Sequence, residues 1–463
     1  MTRLKGSDLL ALGFMTFALF LGAGNIIFPP IAGMAAGENI GLAALGFLLT
    51  GVGLPLLTIV ALARVGGGMA LLTAPLGKRA GVLFAVAVYL AIGPLFATPR
   101  TAVVSFEIGV APFFGKHPAN LAIYSVIFFA AVLALVLMPG RLIDTVGKVI
   151  TPVLLLALLL LGGAALVMPL GEIGAPRLGY VEQPLLTGFL AGYQTMDALG
   201  ALVFGIVIAT AIRNRGVTDP RLVTRYSIIA VLIAALGLAL VYLSLFYLGA
   251  SSQEAAAGAS NGGQILSHYV RDTFGVWGGL LLAVVITLAC LTTAVGLMTA
   301  CGEFFGELLG VSYRLLVCIF VGFSLLVSNL GLEQLISFSI PVLVGLYPLA
   351  IVLVLLSLAD RLWLSSSRVM IPVMLVTLVF AIADGLIAAG IGSGKDWLLQ
   401  RLGEGSGQWL VNVSAASVRL YESIPLSADG LAWLLPALGT LLLAVVVDRW
   451  LGAGRAPGKP AQG

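Results

Sequence analysis

The chain carries 463 residues, 60% of them hydrophobic and only 10% charged, whereas a soluble domain is roughly a quarter charged. A water-soluble fold has no interior large enough for that much apolar surface, so soluble enzymes and nucleic-acid-binding domains are excluded. The formal net charge of +4 is mild, and its placement matters more than its size, because cytoplasmic loops of membrane proteins collect Lys and Arg.

Cutting the chain at polar and Gly/Pro-rich joints predicts about twelve helical spans, an all-α polytopic membrane protein. The first, over 8–34, follows Arg3 and Lys5 and imitates a signal peptide, but its apolar pattern runs past Asn25 to Ala36 and predicts a retained span. Spans 2 to 5 fall near 41–64, 80–111, 118–139 and 146–169, and spans 6 to 10 near 184–212, 222–250, 275–302, 311–330 and 333–358. Span 11 follows over 369–391 and span 12 over 430–451. One set of loops holds Arg3, Lys5, Arg64, Lys78, Arg79, Arg141, Lys148, Arg213, Arg215, Arg221, Arg225, Arg314, Arg361 and Arg368. The other set holds few, among them Lys116, Arg177 and Arg271, so both termini are expected in the cytoplasm. The polar stretches 251–274 and 392–429 read as outer loops, with 400–421 patterned for a helix lying in the interface. The tail 452–463, rich in Gly, Pro and Ala, reads as disordered. Cys290, Cys301 and Cys318 sit in or beside apolar segments without a close pair and read as buried, inert thiols.

Interruptions at membrane depth are informative, because backbone freed there must line a cavity or be buried in protein. Span 1 places Gly22, Ala23, Gly24 and Asn25, then Pro29 and Pro30, in its middle and outer half. Close packing of small residues with a proline kink explains this stretch as readily as a helix break does. Span 6 sharpens the case, since Gly192, Tyr193, Gln194, Thr195, Met196 and Asp197 set polar side chains and a carboxylate amid apolar sequence. An ionised Asp near the bilayer centre costs at least ~2.5 kcal/mol, so Asp197 is expected to face the protein interior with a partner or a proton. The plainer alternative is an aspartate at a helix end nearer the surface.

Five spans reverse the membrane direction between the two interruptions, which is the signature of an inverted repeat. In such transporters the broken helices meet at the midplane, with half-helix N-termini facing anionic groups and freed carbonyls facing cations. A zwitterionic amino acid with a co-transported cation fits that site. In span 8, Thr292 and Thr293 are candidate hydroxyl ligands for a small cation, although Thr in membrane helices also bonds its own i−4 carbonyl. Span 3 carries Gly93, Pro94, Thr98, Pro99, Arg100 and Thr101. Arg100 has Asp197, Glu107 and the interface as candidate destinations, and Arg100 and Glu107 are candidates for gating or structural roles. No P-loop, HExxH or dinucleotide fingerprint occurs, which removes support for ATP-driven transport and for membrane hydrolases of the HExxH type. The rivals to a carrier are a channel or receptor, which needs no paired broken helices, and an intramembrane enzyme built on Asp197.

Three segments carry a family resemblance: Gly22-Ala-Gly-Asn25-Ile-Ile-Phe-Pro-Pro30, Gly93-Pro-Leu-Phe-Ala-Thr-Pro-Arg-Thr101, and 192–200. They resemble the bacterial branched-chain amino acid carriers of the BrnQ type, over nearly the whole chain. The resemblance places the chain in the amino acid, polyamine and organocation superfamily and implies a LeuT-like 5+5 inverted repeat with helices 1 and 6 broken. It implies uptake of leucine, isoleucine and valine driven by Na⁺, or in some members by protons, across a bacterial inner membrane. The expected organisation is a core over 1–390, with repeats at about 8–169 and 184–358 plus span 11. The loop 392–429, span 12 and the tail follow.

By resemblance to sodium-coupled amino acid symporters, Na⁺ is expected on the carbonyls of Ala18, Leu21 and Ala289 and the hydroxyls of Thr292 and Thr293. Asn25 and Thr195 resemble ligands of a second sodium site in some relatives, but no span 7 partner is evident, so one site is expected. Asp197 stands where those relatives carry a small polar residue, which makes it a candidate for the substrate ammonium or for a proton. The substrate carboxylate is expected on the freed amides of 22–25, with the apolar side chain against Phe20, Tyr193 and Met196. The expected partners are a small amino acid and the lipid bilayer, with no organic cofactor, nucleic acid or obligate protein partner implied.

Overall fold

Several helices in this chain stop or bend where the sequence removes a backbone donor or frees a dihedral. The computed structural model describes residues 4–138, 151–390, 421, 423–427 and 430–453, and among them every regular element is helical. Arg3, Arg141, Lys148, the start of the fifth predicted span, the 392–420 part of the outer loop with its interfacial helix, and 454–463 of the tail lie outside the described residues.

Span 1 is two helices, α1 (Gly6–Phe20) and α2 (Ala23–Ala36). Span 2 joins α3 (Ile40–Leu48) to α4 (Leu54–Val65) through a π-helical turn at Leu49–Gly53. Span 3 joins α5 (Lys78–Leu90) to α6 (Ala97–Gly109) through a second π turn, where Gly93 leaves helical φ/ψ and Pro94 lacks a donor. Next come α7 (Pro118–Val136) and α8 (Thr151–Val167). Span 6 is α9 (Pro184–Tyr193) and α10 (Asp197–Arg213), bent by 42° at the break. Span 7 is α11 (Pro220–Ala250), capped by Asp219, whose carboxylate accepts from the Arg221 amide at 2.9 Å.

Span 8 differs from expectation at its outer end, because α12 (Gly262–Leu309) begins well before residue 275. The 262–274 stretch, expected as loop, is helical and holds His268; it turns into the span at Gly275, whose φ of 63° suits only glycine without strain. The chain continues through α13 (Tyr313–Ser328), α14 (Leu332–Leu358), α15 (Ser366–Ala388) and α16 (Leu434–Ala453). The last helix takes in residues 452 and 453, expected in the tail.

Among the described residues, eight helices are long and apolar enough to cross a membrane, or nine if the bent pair counts as one span. The long stretch Ala23–Val65 counts once among them. Three further apolar helices, α1, α8 and α13, have 15, 17 and 16 residues, too short alone for ~30 Å of hydrocarbon at ~1.5 Å per residue. Leu83, Ile127, Leu326 and Leu442 are exposed on outer helix faces, the pattern of a surface solvated by lipid. Cys290 and Cys301 are buried as expected, whereas Cys318, on α13, is exposed among the described residues.

The chain divides into two compact units. In Met1–Leu71 with Ala85–Ile336, α12 packs along α6, α3 along α9, and α11 along both α1 and α2. Gly188 and Gly46 bring α3 and α9 into backbone contact, since a Cβ on Gly188 would stand 2.0 Å from the Ala43 carbonyl oxygen. In Leu72–Phe84 with Ser337–Gly463, α15 packs on α16. There the fully buried Asp448 accepts from the amides of Leu364 at 2.6 Å and Ser365 at 3.3 Å, ahead of α15. Arg368 stands 3.7 Å from the same carboxylate.

Candidate functional site

The first break exposes backbone. α1 ends at Phe20 and α2 starts at Ala23, so the last carbonyls of α1 have no partner within their own helix. They face the threonine pair of α12. Thr293 Oγ1 lies 3.3, 3.2 and 3.2 Å from the carbonyl oxygens of Ala18, Leu19 and Leu21. Thr292 Oγ1 lies 3.3 Å from Ala18 O and 2.9 Å from Ala289 O. A hydroxyl has a single proton to donate, so the cluster holds more lone pairs than hydrogens and is electron-rich. Oxygens ~2.4 Å from a calcium-sized ion sit about 3.4 Å apart at right angles, close to these spacings. The structure brings together Ala18, Leu21, Ala289, Thr292 and Thr293, adds Leu19, and uses only uncharged oxygens, a donor set suited to a small monovalent cation.

The second break presents side chains. α9 ends at Tyr193, and Met196 takes the left-handed conformation at φ 65°, ψ 11°. That conformation costs a non-glycine residue about 1–3 kcal/mol and persists only where its surroundings impose it. α2 presses against this strained segment through Gly24, where a Cβ would come 3.0 Å from both the Thr195 Cα and its carbonyl oxygen. Asp197 opens α10, where the helix dipole favours an anion, and it is buried. Its Oδ2 accepts from Asn25 Nδ2 at 2.7 Å and from the Tyr242 hydroxyl at 2.5 Å, and Asn25 Nδ2 also donates to Tyr242. Asn25 Oδ1 accepts the Gly22 N–H at 3.0 Å, which turns the NH₂ toward the carboxylate. Thr195 Oγ1 donates to Gly192 O at 2.9 Å and accepts from the Asp197 amide at 3.4 Å.

A cavity of about 30 Å³ lies between the breaks, room for about one water. Of the expected substrate residues, Phe20, Gly22, Ala23, Gly24, Asn25, Thr195, Met196 and Asp197 line it. Gly192, Tyr193 and Gln194 do not. Helix α9 persists through Tyr193 and turns that ring onto Phe189, centroids 5.5 Å apart. The apolar wall is instead Phe20, Ile92, Phe204 and Leu297, with Phe20 and Phe204 edge to face at 5.5 Å. Arg100 also lines the cavity. It is buried, its Nη1 donates to the Gln194 carbonyl at 3.0 Å, and its guanidinium sits 5.5 Å from the Phe28 ring centroid. Glu107 pairs with Lys116 at 2.9 Å. Sequence reasoning missed Tyr242, whose signal was a tyrosine in an apolar mid-span, where a buried hydroxyl needs a partner. It also gave Asn25 too small a role.

Paired helix breaks around one cavity, on this fold, define a membrane transporter. The fold is similar to that of Mhp1, a nucleobase-cation-symport-1 family transporter in a closed conformation with bromovinylhydantoin bound. The TM-score is 0.56 at 13% identity, over 98% of this chain and 94% of that one. It is also similar to MhsT in complex with L-phenylalanine, with a TM-score of 0.55 at 16% identity, over 93% of this chain and 98% of that one. Both likenesses place the chain in the LeuT-like fold.

The chain belongs to the branched-chain amino acid transport protein family, whose sequence profile matches residues 5–451. It is 67% identical to the branched-chain amino acid transport system 2 carrier protein of Pseudomonas aeruginosa, over 98% of this chain and 99% of that protein. It is 50% identical to the branched-chain amino acid permease BrnQ of Escherichia coli, over 97% of this chain and 98% of that protein. The protein is therefore a branched-chain amino acid transporter and not an enzyme.

Proposed function

We propose that this carrier imports leucine, isoleucine and valine across a bacterial inner membrane by alternating access, both termini inside, with each cycle coupled to Na⁺ bound between the end of α1 and α12. The observation that carries this reading is the oxygen cluster at Thr293, where the Ala18, Leu19 and Leu21 carbonyls share one hydroxyl. A cation there would satisfy those lone pairs and fix the end of α1. The start of α2 follows directly across Leu21 and Gly22, so ordering one side of the break orders the other.

The substrate uses that other side. The Gly22 amide is occupied by Asn25, which leaves the first-turn amides of Ala23 and Gly24 for the carboxylate. The ammonium meets Asp197, whose Oδ2 is already held by Asn25 and Tyr242. Phe20, Ile92, Phe204 and Leu297 surround the aliphatic side chain. A methylene in such a pocket is worth only ~1–3 kcal/mol, so discrimination among the three substrates is slight. A cavity of about 30 Å³ is too small for leucine, and admission requires the half-helices at the breaks to move apart, which links binding to the rocking of spans 1 and 6.

Asp197 favours a second reading, in which the carboxylate carries a proton and the coupling ion is H⁺. Purified carrier in liposomes separates the two. A Na⁺ gradient at equal pH is expected to concentrate leucine inside; concentration driven only by a pH gradient transfers the coupling to the proton, and no concentration under either gradient overturns the symporter reading.

A further inference from the structure

Small residues inside a membrane bundle let neighbouring segments approach closely, and the buried glycines of this chain follow that rule with one exception. Among the described residues, a Cβ added to any buried glycine but Gly200 would come 3.3 Å or less from a neighbouring atom. Gly205 on α10 is typical, with Leu62 Cδ1 at 2.5 Å, and so is Gly296 on α12, with Leu19 Cδ2 at 2.4 Å. Gly200 is buried and yet has room. A Cβ there would meet only the Phe204 ring, Cε2 at 3.5 Å and Cδ2 at 3.8 Å, which is ordinary van der Waals contact.

Backbone conformation does not ask for glycine at this position either. Gly200 lies within α10, its amide donates to the Met196 carbonyl at 2.8 Å, and its φ is outside the left-handed region. Glycine is, after proline, the poorest helix former, so alanine would hold this helix better. What the missing side chain leaves open is the transport cavity, which Gly200 lines together with Asp197 and Phe204. Three glycines line that cavity. A Cβ on Gly22 would come 3.0 Å from Thr293 Cγ2, and one on Gly24 would come 3.0 Å from the Thr195 backbone. Gly200 alone of the three gives its volume to the cavity.

Asp197, Gly200 and Phe204 recur at i, i+3 and i+7 and so share one face of α10. Gly200 follows Asp197 by about 4.5 Å along the helix axis. With the substrate ammonium on Asp197, a side chain laid along this face reaches Gly200 at its γ and δ carbons. We propose that Gly200 sets the side-chain length this carrier accepts: the gap over it, closed by the Phe204 ring, receives the δ carbons of leucine and isoleucine, which valine lacks. The assignment rests on the proposed placement of the ammonium and adds to it the residue that admits the longer side chains.

Gly200→Ala fills the gap with one methyl group. In proteoliposomes of the full-length carrier, kcat/KM for leucine and for isoleucine is expected to fall about tenfold relative to valine, the effect of one carbon in an apolar pocket. The thermal unfolding midpoint is expected to hold or rise, because alanine is the better helix former. Gly205→Ala, which crowds Leu62, is the control: its midpoint falls and its leucine-to-valine ratio stays that of the wild type. An equal fall for all three amino acids in Gly200→Ala would make Gly200 a hinge of span 6 and overturn the proposal, and so would an unchanged ratio. Asp197→Asn, run alongside, tests the placement beneath it. Full leucine uptake in that variant overturns the placement and the role of Gly200 together, whereas lost uptake there with an unmoved ratio in Gly200→Ala overturns the role of Gly200 alone.

Discussion

At the first break the residues that leave the helix are Leu21 and Gly22, and what they free is backbone: carbonyls on one side, amides on the other. At the second, Gln194 to Met196 leave the helix, Met196 is strained into the left-handed region, and the group delivered is the Asp197 carboxylate. The first break supplies partial charges from dipoles, the second a formal charge and its hydroxyl partners. Asn25 belongs to both, since its oxygen closes the first break on Gly22 while its nitrogen holds Asp197. The two halves of the site are therefore one hydrogen-bonded unit, and perturbing either is expected to be felt at the other.

The sharpest way to separate them is Asp197→Asn, which keeps shape and removes charge. Losing a hydrogen bond to a charged group is worth about 1.5–3 kcal/mol, so leucine kcat/KM is expected to fall on the order of a hundredfold in proteoliposomes. Full uptake at every pH would remove the carboxylate from the substrate site. Gly24→Ala tests contact between the breaks: its methyl would crowd the Thr195 backbone at 3.0 Å, an overpacking worth about 1–3 kcal/mol. Uptake is expected to drop about tenfold while membrane insertion and expression hold. Thr293→Ala addresses the backbone side alone and is expected to raise the half-saturating Na⁺ concentration about tenfold, the effect of one lost ligand near 1.4 kcal/mol. Tyr242→Phe is the mildest, removing one hydroxyl from Asp197; a leucine KM about fivefold higher, with Na⁺ dependence unchanged, would place it on the carboxylate side.

Much of this contrast was legible in the sequence, for uneven reasons. Gly22, Gly24 and Asn25 announce a break because glycines and an amide are conspicuous amid aliphatic residues, and Asp197 because a carboxylate at membrane depth demands explanation. The threonine pair was a candidate from its adjacent hydroxyls, which also have ordinary local uses, and the carbonyls that face it were placed by family resemblance. What escaped was three-dimensional. Arg100 offers no hint in its neighbours that it will donate to the Gln194 carbonyl, because a broken helix end exposes acceptors that no residue letter records. Tyr193 was expected against the substrate side chain, but α9 runs through it and its ring packs beside Phe189. The helix at 262–274 was hidden by its polar residues, since a short helix that carries them and ends in a glycine turn reads like a loop.

Coupling between the cation cluster and the substrate cavity is the claim on which the rest depends, and equilibrium binding measures it without the complications of flux. Leucine affinity of the purified carrier, titrated with Na⁺ at constant ionic strength in the wild type and in Thr293→Ala, is expected to rise with Na⁺ in the first. The second should need about tenfold more Na⁺ for the same affinity. Leucine affinity indifferent to Na⁺, or an identical Na⁺ dependence in the two proteins, would contradict it.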